Sequence, residues 1–69
     1  MNTLHAELLE AHRKGDGAAM IGLYAQAADA SDDADEEMFF LTHAYIFALE
    51  AGDARAEGIR ERLRAAGRI

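Results

Sequence analysis

Residues 38–51 read M-F-F-L-T-H-A-Y-I-F-A-L-E-A, and only Thr42, His43 and Glu50 among them are clearly polar. A surface helix of a small protein carries one apolar stripe. A helix built from this stretch carries apolar side chains nearly all the way round, so one neighbour cannot cover it. It is expected at the centre of the fold or in a subunit contact.

The rest of the chain favours helix throughout. It has no proline, few β-branched residues, and an abundance of alanine, leucine, glutamate and arginine, all strong helix formers. No segment alternates with period two for long enough to make a strand. Four helices are predicted, over residues 3–14, 17–30, 34–51 and 54–66. Gly15-Asp16 and Gly52-Asp53 fall at two of the junctions. In each pair the glycine suits a left-handed helix end and the aspartate suits the cap of the next helix. The third junction is acidic: Asp29, Asp32, Asp33, Asp35, Glu36 and Glu37 put six acids in nine residues. Without the central glycine of a calcium loop, they are expected to form a solvated, helix-capping linker. Gly22, inside an alanine-rich helix, is expected to mark close approach of another helix. The fold class is therefore all-α, with two antiparallel helical hairpins in one domain.

At 69 residues, a chain buries only about 60% of its unfolded surface. It has no cysteine, so neither a disulfide nor a thiolate-bound zinc can reinforce it. Dense helix packing and self-association remain. The formal charge is −6, from 13 acidic and 7 basic residues, which disfavours nucleic acid and anionic membrane as partners. The longest fully apolar run is six residues, 44–49, far short of the ~20 that span a membrane. Residues 1–20 show no positive leader followed by an apolar run, so a cytoplasmic protein is expected. Six of the seven basic residues are arginine, a bias expected of a GC-rich bacterial genome.

The two Gly-Asp pairs lie 37 residues apart, and each joins two helices. With Leu8, Ala11 and Gly15, then Tyr24 and Ala27, the first half resembles a tetratricopeptide repeat, a helical hairpin of about 34 residues. In the second half Leu41, Ala44 and Tyr45 fit the L-x-x-A-Y part of the same pattern. That half departs at Gly52, which comes about a turn late, and no terminal proline follows. The resemblance covers residues 4–66. It implies stacked hairpins that act in protein–protein contact, and two copies are fewer than a solenoid needs to stand alone.

No catalytic pattern accompanies these helices. His5 and His12 share a face, but Leu8 and Leu9 lie between them there and cannot ligate. Neither H-x-x-x-H nor E-x-x-H occurs, so no metal site and no cofactor are expected. His43 lacks the nucleophile and orienting carboxylate of a triad, and an enzyme is not expected. On the central helix, Phe40, Ala44 and Phe47 share one face, and Leu41, Tyr45 and Ala48 share the next. In a two-layer arrangement of helices both are core. Phe39, His43, Ile46 and Leu49 are then expected to form a contact surface, and Tyr24, Tyr45 and Phe47 a groove. The function expected is a protein-interaction module that pairs with protein partners, itself included. Two rivals share the fold: an accessory or regulatory subunit of an enzyme, and a small-ligand or metal-binding bundle.

Overall fold

A computed structural model describes residues 3–69. The helices are α1 (Thr3–Lys14), α2 (Gly17–Ala30), α3 (Ala34–Ala51) and α4 (Arg55–Ala65). They pack in chain order as antiparallel neighbours, α1 on α2, α2 on α3 and α3 on α4, with the most extensive contact between α2 and α3. The Cα positions extend over 31 × 29 × 12 Å. Two full helix layers sit about 8–10 Å apart, each with a Cα cylinder about 4.6 Å wide, so the short dimension is too small for both. The four helices form a shallow row, flatter than the two-layer arrangement expected.

Apolar residues on the facing sides close the row. Ile21 and Ala28 of α2, Met38, Leu41, Ala44 and Ala48 of α3, and Ile59 and Leu63 of α4 make one buried cluster. Ala11 of α1 with Met20 and Leu23 of α2 makes a second, lined by Leu4 and Leu8. Tyr24 and Phe47 pack against both clusters. The apolar character of α3 is thus used twice, since α3, like α2, has a neighbour on each side.

The two Gly-Asp junctions share the glycine geometry, but only Asp16 stands at the N-cap of the helix that follows, since α4 begins at Arg55 with Ala54 at its N-cap and no side-chain cap. Gly15 and Gly52 adopt φ of +66° and +63°, where an L side chain is strained. The Asp16 N–H then donates to the Ala11 carbonyl and the Asp53 N–H to the Ala48 carbonyl, both at 2.9 Å. These bonds satisfy carbonyls that a helix end otherwise leaves open. The Asp16 carboxylate accepts the Ala19 N–H at 3.1 Å, and the Asp53 carboxylate accepts the Arg55 N–H at 2.8 Å.

The acidic stretch is solvated and helix-capping as expected, but several of its carboxylates are paired with arginines. Asp33 does cap α3, accepting the Asp35 and Glu36 N–H groups at 2.8 and 3.1 Å. Arg62 of α4, however, reaches both Asp29 (2.9 Å) and Glu37 (3.2 Å), and Arg68 pairs with Asp35. The antiparallel return of α4 lays its last turn beside the first turn of α3, which brings these charges together. All the pairs are largely solvated, so each contributes at most about 1 kcal/mol.

Gly22 also departs from expectation. A Cβ there would meet only the tip of the Arg55 guanidinium, at an ordinary 3.5 Å, so no helix backbone approaches it closely. Around Gly58 a Cβ would find nothing within 4 Å. Gly58→Ala is therefore expected to stabilise the fold by about 0.5–1 kcal/mol through helix propensity alone. The urea midpoint should rise accordingly, and a fall would show that this turn of α4 is not a regular exposed helix.

Candidate interaction surface

The side of α3 turned away from α2 and α4 carries Phe39, Thr42, His43, Ile46, Leu49 and Glu50. Phe39 is 58% exposed, Ile46 47% and Leu49 57%. These three large apolar side chains recur at spacings of seven and three, so they lie on one strip of the helix. Of the strip's three polar residues, Thr42 and His43 bond to their own helix. The Thr42 hydroxyl donates to the Met38 carbonyl at 2.8 Å. His43 Nδ1 lies 2.9 Å from the Phe39 carbonyl, and because a carbonyl only accepts, Nδ1 is the donor. Covering the strip therefore strands neither the Thr42 hydroxyl nor the His43 Nδ1–H, and Glu50 stands as a charge at its C-terminal end.

The strip continues into a chain of rings that crosses three helices. Phe39 of α3 meets His43 at a centroid distance of 4.4 Å and Phe40 at 5.7 Å. His43 stacks on Tyr24 of α2 at 5.2 Å, and Phe47 stacks on the same tyrosine at 5.7 Å. His12 of α1 closes the chain, its Nε2 3.0 Å from the Tyr24 hydroxyl and its ring edge-on to Phe47 at 6.2 Å. Contacts of this kind add about 0.5–1.5 kcal/mol each beyond the area they bury. They hold His43 and Phe39 in place from beneath.

Of the three residues expected to line a groove, Tyr24 and Phe47 come together in this chain of rings. Tyr45 packs against the main buried cluster instead, two positions before Phe47 and so on a different side of α3. His12 was not among the residues expected to line the surface. A signal for it existed: four residues after Leu8 and three before Gly15, it ends the apolar row of the first helix at a tight turn. That position is close to the start of the apolar row on the second.

The four turn residues lie away from this strip, at the junctions. At the second junction, Arg55 makes a fork to Asp53 at 3.0 and 2.9 Å and donates to the Ala18 carbonyl at 3.2 Å. This ties the start of α2 to the start of α4. The Arg55 side chain, then its backbone N–H, hold the Asp53 carboxyl down from 3.8 to about 2. A depressed carboxylate stabilises the fold above its unfolded pKa and loses that contribution as pH falls through its folded one. The window here runs from about pH 3.8 down to about pH 2. In an NMR titration Asp53 should protonate near pH 2, and Arg55→Leu should move the midpoint up towards the ordinary carboxylate range. An unchanged midpoint in that variant would mean the fork does not exist in solution.

Among the described residues, no three histidine, aspartate or glutamate side chains converge as metal ligands. No described helix is long and apolar enough to cross a membrane. Four helices with an exposed apolar and aromatic surface are what the structure offers, and no family model, curated protein or solved structure matches the chain.

Proposed function

We propose that this chain is a small helical protein-interaction module, that its docking surface is the outward strip of α3, and that a second copy is among its partners. The observation that carries this reading is the exposed row of Phe39, Ile46 and Leu49. Scattered apolar residues are normal on any surface, but a contiguous apolar patch on a monomer marks a contact site. The His12–Tyr24–His43 ring contacts support it, because a surface held rigid from beneath loses less entropy when it is covered.

Ile46→Glu is expected to weaken self-association by at least about tenfold, because a carboxylate would be buried without a partner. Helicity should be retained, since Ile46 supports no core contact. Sedimentation velocity of both proteins, with circular dichroism as the folding control, is the measurement. A wild-type chain that stays monomeric into the high micromolar range, at every salt concentration, would remove a second copy from the list of partners.

A further inference from the structure

We infer that the α3 strip is built to receive a cationic amphipathic helix from another protein. The inference rests on the interaction reading above and adds the chemistry of the occupant. Phe39 to Leu49 spans about 15 Å along the helix axis, or nearly three turns. A helix that presents anchors at i, i+3 or i+4, and i+7 takes up about 10 Å, so the strip is long enough to seat one. A stable contact between two globular subunits uses roughly 800 Å² on each side, close to a fifth of the whole 4470 Å² surface. Three exposed side chains on one helix offer much less, which suits a single helix better than a second globule.

Charge decides what kind of helix. α3 contains Asp35, Glu36, Glu37 and Glu50 and neither lysine nor arginine. Glu37 is turned to Arg62, Asp35 is paired with Arg68, and Glu36 accepts from the Ser31 hydroxyl at 2.8 Å. Glu50 makes no ion pair among the described residues, and it stands in the last turn of α3, where the carbonyl ends of the helix are themselves negative. A cation beside that turn meets both. A second copy can dock on the same strip but is the weaker occupant by this measure, since the chain carries −6. Two α3 strips laid antiparallel would bring Glu50 towards the other's acidic linker. The chain's own arginine-rich helix is no substitute, because Ile59 and Leu63 of α4 are already buried in the core.

The probe is a labelled synthetic helix with one row of leucines flanked by lysines, compared by fluorescence anisotropy with the same helix carrying glutamates in place of the lysines. The lysine peptide should bind at least about tenfold more tightly than the glutamate peptide, and its affinity should fall as salt rises. Phe39→Ala combined with Leu49→Ala should cost at least about tenfold, as loss of the apolar anchors. Glu50→Gln should cost about threefold, as expected of a solvated rim charge. Glu57→Gln on α4 should leave binding unchanged. Binding that survives the Phe39/Leu49 double replacement would be general charge attraction and would overturn the inference. Absent peptide binding, with self-association that strengthens as salt rises, would also overturn it and leave the interaction reading standing with a second copy as occupant. Absence of both would end both readings.

Discussion

Leu41→Ala should destabilise the fold by about 2–5 kcal/mol, the cost of deleting a fully enclosed leucine and leaving a cavity behind. Leu41 is 0% exposed and belongs to the cluster that joins α2, α3 and α4. A domain of this length has only about 3–10 kcal/mol to lose, so the variant should populate the unfolded state appreciably at room temperature. Urea denaturation followed by circular dichroism reads this directly. A loss below about 1 kcal/mol, typical of a surface replacement, would mean that α3 is not the shared centre of the row.

Ala48→Leu tests the opposite error. Ala28, Ala44 and Ala48 are at most 1% exposed and belong to the cluster where α2, α3 and α4 meet, so their small size lets these helices pack closely. Extra methylenes in so tight a seam force neighbouring side chains off their rotamers or push the helices apart, at about 1–3 kcal/mol. Ala51→Leu, on the exposed end of the same helix, is the control and should change stability by no more than about 0.5 kcal/mol. Equal effects at the two positions would show that the alanines do not set the helix spacing.

These two residues also show how far the amino-acid sequence could be read. The near-absence of polar residues over 38–51 places that helix at the centre of the fold or in a subunit contact, and a 3.6-residue period assigns Ala44 to one core face, Leu41 and Ala48 to the adjacent one, and Phe39, Ile46 and Leu49 to a third side. Both assignments concern a single helix, and periodicity settles them. Which residues of different helices meet depends on how the helices cross, which no local pattern encodes. The arginine partners of the linker carboxylates, up to 33 residues away, were hidden for that reason, as was the contact of His12 with Tyr24. Gly22 misled because a glycine in a helix signals a close neighbour only when one is there, and Arg55 occupies that place instead. The tetratricopeptide resemblance has the same limit. Its few matched positions describe a helical hairpin, and the four-helix all-α architecture is as far as they reach.

The division of the buried residues into two clusters has a consequence for how the chain opens. α1 contributes only Ala11 to the buried set, and it packs on α2 with a single ring contact, His12 on Phe47, reaching α3. The cluster of α2, α3 and α4 remains whole without it. Local opening takes the cheapest route, the one that uncovers least apolar surface. The amide hydrogens of α1 therefore exchange with solvent through partial detachment about the Gly15 turn, while those at the centre of α3 wait for the whole domain to unfold. A chain this small should thus have two tiers of protection, with the exposed strip of α3 in the slower one.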